Sequence, residues 1–193
     1  MSVESKHIAW AITLLAAGGA LLLSRRKSNP PSLINDNTYS EYDMSTDPKL
    51  PRGYRNNNPL NIRISSNAWK GKIKDNTDGA FEQFVSLPYG YRAALATMRT
   101  YIRKYGCNTV EKIINRWAPP TENNTDAYIK HVCQYADVAP QMTVALNDRD
   151  TLTKMAYAMS IIENGTKDKA GQNLYETYGL PDMEIINQAW ELL

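Results

Sequence analysis

The sequence predicts an α+β domain, mainly α, with a small three-stranded antiparallel flap and a transmembrane helix at the N-terminus. Three observations carry this expectation: an uncharged apolar run at 8–23, three short turn-bounded segments between 60 and 85, and helical punctuation through the residues that follow. Residues 1–27 read as the anchor with its basic flank, 28–50 as a flexible linker rich in Pro, Ser, Asn and Asp, and 51–193 as the folded domain. About 140 residues are enough to bury a core without metal or disulfide.

The apolar run, IAWAITLLAAGGALLL, has Lys6 before it and Arg25-Arg26-Lys27 after it. At about 1.5 Å per residue it covers about 24 Å, slightly short of a bilayer core of about 30 Å unless flanking residues extend it and the cations snorkel. An anchor, a cleavable signal peptide and a weak signal-arrest-release segment all compete for this stretch. A signal peptide places its positive charge ahead of the apolar core and small residues after it, so the basic triplet favours an uncleaved single-pass anchor. The positive-inside rule then places the domain on the cytoplasmic face.

The domain opens with PRGYRNNNPLNIR, polar and aromatic where a core segment would be apolar. Asn56, Asn57 and Asn58 tolerate tight turns and both donate and accept hydrogen bonds, which suits neutral, hydroxyl-rich ligands such as sugars as well as a plain capped turn. Pro59 turns Asn58 away from helix. The segments 61–64, 71–74 and 81–84 alternate in part and are bounded by turn formers, Asp75 to Gly79 among them, and so read as the flap. Helices follow at 89–105, stopped by Gly106, at 109–117, stopped by Pro119-Pro120, and at 126–135, capped by Asn124 or Thr125. Further helices read at 152–163, 172–178 and 182–193.

The order N-N-P-L-N-I-R, A-W-K-G-K, F-E-Q-F-V-S-L-P-Y-G-Y-R-A-A-L resembles the autolysin and flagellar N-acetylglucosaminidases, which cut peptidoglycan on a lysozyme-like fold. It is still more similar to phage-encoded lysozyme-superfamily proteins with an RGxRNNNPxNI opening and a later R-W-A-P-x-x-E-N-x-T-x-x-Y block, here 116–128. The resemblance covers roughly 51–165. It implies a lysozyme-like domain acting on peptidoglycan, with Tyr128 near the acid and able to bond substrate; by their own chemistry Asn57, Asn58 and Asn61 would line the sugar groove, and Trp69 and Trp117 offer flat faces to sugar rings. One departure matters. Such enzymes carry their catalytic Glu on a helix before the Asn-rich segment, whereas here that region is linker-like, and a helix ending in Glu163-Asn164-Gly165 comes late. A circular permutation would bring it beside the loop, since chain termini usually lie close together.

Glu163 supports this reading on chemical grounds. Met155, Met159 and Ile162, widened by Ala158 and Ile161, form an apolar stripe that carries Glu163 to a helix C-terminus. Burial and the negative end of the helix both favour the protonated form, which a leaving glycosidic oxygen requires. Asp75 and Asp78 in the flap turn are candidates for the second carboxylate, and Glu122 is the rival acid. Each also has an ordinary local role, as turn former or near a helix start.

From residue 51 onward, 17 Lys and Arg face 15 Asp and Glu, too balanced for strong nucleic-acid binding. No phosphate loop, zinc spacing or nucleophile elbow occurs, so neither metal nor cofactor is expected; Cys107 and Cys133 can pair or stay free. The expected protein is a membrane-anchored peptidoglycan glycosidase, of muramidase or glucosaminidase type, which a bacteriophage uses to enter or lyse its host. Its partners would be peptidoglycan, a lipid membrane through 8–23, and other virion proteins. It would reside in a virion internal membrane or the host inner membrane. A lytic transglycosylase and a non-catalytic, wall-binding virion structural protein are the alternatives.

Overall fold

A computed structural model describes residues 47–193. Seven helices follow in chain order: α1 (Arg52–Arg55), α2 (Leu87–Tyr105), α3 (Val110–Trp117), α4 (Thr125–Ala136), α5 (Arg149–Asn164), α6 (Leu174–Tyr178) and α7 (Met183–Glu191). Their boundaries follow side-chain chemistry. Thr109, Asn124, Asp148, Asn173 and Asp182 each accept an amide of the first turn they precede. Gly106, with φ at 64°, ends α2 in the left-handed conformation that glycine adopts without strain. The start of α2 lies two residues before the expected 89 because Pro88 is tolerated in a first turn, where its missing N–H has no intrahelical partner.

Helix α5 packs against α1, α2, α4 and α7. Leu152, Met155, Ala156, Ala158 and Met159 are fully buried, with Leu95 and Met98 of α2, Val132 of α4 and Ile186 of α7 in the same core. Burying a Met or Leu side chain contributes about 1.5–3 kcal/mol, so this stripe fixes the axis on which Glu163 is carried. A second, smaller cluster joins Leu50 and Tyr54 to Leu87, Leu174 and Leu180. Beside it, Lys169 N–H donates to the Lys49 carbonyl, and the Tyr178 hydroxyl lies 3.1 Å from Asp47 Oδ2 and 3.2 Å from Asp168 Oδ2.

The expected α+β class is corrected to mostly helical, since no strand forms among the described residues. The expected flap segments meet only in isolated antiparallel bridges, Arg63 with Phe81 and Lys72 with Phe84. The cause lies in the asparagines. Asn58 Nδ2 donates to both the Ile62 and Glu82 carbonyls, its Oδ1 accepts the Ile62 N–H, and Asn57 Nδ2 donates to the Phe84 carbonyl. Asn58 thus takes the Ile62 N–H and the Glu82 carbonyl, which a continued ladder would pair, while the Ile62 carbonyl still accepts the Glu82 N–H at 2.9 Å, an established competition with regular structure. Asn57 and Asn61, at φ of 50° and 49°, also break any extended run.

The membrane assignment is corrected as well. No helix among the described residues is long and apolar enough to cross a membrane, and the segment 8–23, on which the single-pass anchor and its membrane location were expected, lies outside those residues. Cys107 and Cys133 are both free.

Candidate active site at the end of α5

The apolar stripe of α5 ends at Glu163. Gly165 closes the helix through its N–H to the Ile161 carbonyl at 2.8 Å, and Asn164 fastens the helix end to the Asn-rich loop. Asn164 Nδ2 donates to the Pro59 carbonyl at 2.7 Å and to the Ser160 carbonyl at 2.9 Å. One turn back, Ser160 accepts from the Tyr91 hydroxyl at 3.1 Å, tying α5 to α2. Two parts of the chain about a hundred residues apart are thereby joined at one point.

The Glu163 carboxyl is met from three directions. Asn61, held in its left-handed conformation, donates from Nδ2 to Oε2 at 3.1 Å and to the Glu163 backbone carbonyl at 3.3 Å. The buried Tyr128, one turn into α4, donates its hydroxyl to Oε1 at 3.1 Å, and Trp117 at the end of α3 adds a hydrogen bond. Burial pushes the carboxyl above the ordinary Glu range, against the Asn61, Tyr128 and Trp117 hydrogen bonds and the Arg63 charge, which pull it down. As a residue Glu163 is half-buried. Burial, then the neighbouring Glu163 charge and hydrogen bond, hold the Tyr128 phenol well above its usual range, so it remains a donor.

The remaining candidates separate by environment. Asp78 is saturated: Arg52 Nε at 2.6 Å, Asn56 Nδ2 at 2.7 Å, and the Ala80 and Phe81 N–H groups at 3.0 Å all donate to it. Burial alone would raise its carboxyl, but these donors win and hold it well below the carboxylate range. Asp75 is exposed on the same turn. Glu122 is exposed and lies 3.9 Å from Arg63 Nη2, so the same guanidinium acts on both Glu122 and Glu163. Asn57 and Asn58 are turned inward and hold the flap segments, as described above. Trp69 is half-buried, with its indole Nε1 unpaired.

Sequence reasoning missed Asn164, Arg63 and Gly53. A methyl at Gly53 would lie 2.3 Å from Asn164 Oδ1 and 3.0 Å from Asn61 Oδ1, so only glycine lets α1 pass beneath the acid's supports. The signal available was Asn164 itself, which had read simply as a helix stop. A concavity of about 450 Å³ lies elsewhere, lined by Tyr157, Tyr175, Gly179, Pro181, Asp182 and Met183, and includes none of the groups around Glu163.

The fold and site define a small helical domain in which a supported carboxyl, Glu163, joins a late helix to an early asparagine-rich loop. No protein-family model matches the chain. Protein P5 of Pseudoalteromonas phage PM2 is 41% identical over 118 residues, which cover 60% of this chain and 72% of that protein. The chain belongs to the family of this phage protein, and the kinship supports the bacteriophage origin that the sequence motifs led us to expect.

Proposed function

We propose that the chain is a bacteriophage glycosidase that cleaves peptidoglycan, with Glu163 as its general acid. The observation that carries the reading is the meeting of Glu163 with Asn61 and Tyr128, the juxtaposition that a permuted lysozyme-superfamily site requires. The protonated carboxyl gives its proton to the leaving glycosidic oxygen as the bond to the anomeric carbon breaks. Asn61 and Tyr128 fix the orientation of the carboxyl and stabilise the anion left behind.

A second reading, the lytic transglycosylase, is favoured by the engagement of Asp78. With that carboxylate committed to Arg52 and to backbone amides, no flap-turn partner is evident for activating water except the exposed Asp75. A hydroxyl of the substrate sugar then closes on the anomeric carbon, and Glu163 takes the hydroxyl proton. The products differ, since hydrolysis leaves reducing ends and ring closure leaves anhydro ends lighter by one water.

The test is turnover of purified peptidoglycan by the full chain and by Glu163→Gln. Loss of about 10²–10⁴-fold in rate, the usual contribution of a general acid, with wall binding retained, is expected. An active Glu163→Gln variant would move the acid to Glu122. A wild-type chain that sediments with the wall without cutting it would leave a wall-binding structural protein.

A further inference from the structure

From Trp117, which hydrogen-bonds Glu163, a row of aromatic rings leads outward across the ends of α2 and α3. Trp117 meets Tyr101 edge-on at 6.5 Å between ring centroids, and Tyr101 meets Tyr105 in the same way at 6.4 Å. At the far end the Arg116 guanidinium lies 3.5 Å from the centroid of Tyr105 and 5.1 Å from that of Tyr101. Lys104 Nζ stands 5.6 Å from the same Tyr105 ring.

Among the described residues neither Arg116 nor its neighbours Arg103 and Lys104 forms an ion pair, although five other pairs occur. All three cations are exposed, as is Tyr105. Cations near a helix C-terminus have a structural use in answering the helix dipole, and that alone accounts for Arg103 and Lys104. It does not require a guanidinium laid over two tyrosines. A guanidinium held by its face keeps its N–H edge free, and that edge matches a carboxylate with two parallel hydrogen bonds.

We propose that Arg116, on its Tyr101 and Tyr105 seat, binds the free carboxylates of the peptide stems of peptidoglycan and so selects glycan that bears peptides. The proposal rests on the peptidoglycan reading above and names the part of that substrate the row recognises. Trp117 and Tyr101 connect this carboxylate site to the acid, so one bound strand engages both. Lys104 adds positive charge at the same end.

The test measures sedimentation of the full chain, in the Glu163→Gln background so that the wall survives, with untreated peptidoglycan and with peptidoglycan whose stem carboxyls have been amidated. Amidation should weaken binding about tenfold, the worth of about one charge-assisted hydrogen bond. Arg116→Gln should bind untreated wall about as weakly and respond much less to amidation, the remainder coming from Lys104. Arg116→Lys should recover part of the affinity, because the charge returns without the fork. Equal binding of Arg116→Gln and its parent to untreated wall, or an undiminished response to amidation in the variant, would overturn the proposal. Failure of the glycosidase reading shows separately, as Arg116-dependent wall binding by a chain that cleaves nothing with Glu163 intact.

Discussion

Gly53→Ala should destabilise the protein even though alanine is the better helix former and Gly53 sits in α1. The new Cβ would lie 2.3 Å from Asn164 Oδ1, whereas real Cβ contacts essentially never fall below 3.0 Å, so the amide must retreat by at least about 0.7 Å. It cannot do so freely, because its Nδ2 is held by two carbonyls at 2.7 and 2.9 Å. Losing those two hydrogen bonds costs about 1 kcal/mol each, and overpacking adds about 1–3 kcal/mol. The gain in helix propensity returns only about 1 kcal/mol. A net loss of about 2–4 kcal/mol is therefore expected, read as a lower midpoint of urea unfolding at unchanged slope. The double variant Gly53→Ala with Asn164→Ala should lose less than the sum of the single changes, by about 1 kcal/mol or more, because the second change removes the obstacle. A Gly53→Ala protein as stable as wild type, or strict additivity in the cycle, would refute this account of the junction.

Other expectations follow from the charged groups. Burial raises Glu163, so the folded chain keeps a proton that the unfolded chain releases; that stabilisation is complete below the ordinary Glu pKa of about 4.3 and drains away as pH rises towards the raised value. Thermal unfolding of Glu163→Gln should accordingly fall off less than wild type across that window. Tyr128→Phe removes a hydrogen bond that lowers the Glu163 pKa, so the alkaline limb of the wall-cleavage profile should move to higher pH; a limb that stays in place or moves lower would remove Glu163 from the acid role. Asp78 has the opposite sign: its stabilisation is present above the ordinary Asp pKa and is lost as pH falls through the depressed value. Asp78→Ala should cost about 2 kcal/mol at neutral pH, discounted because Arg52 is half exposed, and an unchanged acid-unfolding curve would count against it.

The helices were legible because their punctuation is local. Asn124, Gly106 and the Pro119-Pro120 pair announce boundaries within a turn of where the chain obeys them. The position of Glu163 was legible for a related reason: a 3.6-residue stripe that ends in Glu places that residue at the rim of a core whatever packs beside it. The flap was not legible, because alternation in sequence says nothing about which groups satisfy the backbone. Asn58, fully buried, takes the Ile62 N–H and the Glu82 carbonyl, which strands would have paired with one another. Polarity likewise cannot tell a ligand-facing asparagine from one turned inward, and of the asparagines expected at the substrate Asn61 alone reaches the acid.

The short stretch from Asp47 to Leu50 determines where this chain can be cut. Leu50 is completely buried against Leu174 and Leu180, and removing it would forfeit about 1.5–3 kcal/mol of burial. The same cut would strip the Lys49 carbonyl from Lys169 and the Asp47 carboxylate from Tyr178. A fragment trimmed at Pro51, where the helical pattern first invites a boundary, would leave the segment that follows Glu163 with an open seam. Any excised version meant to report on the acid has to keep this four-residue clasp.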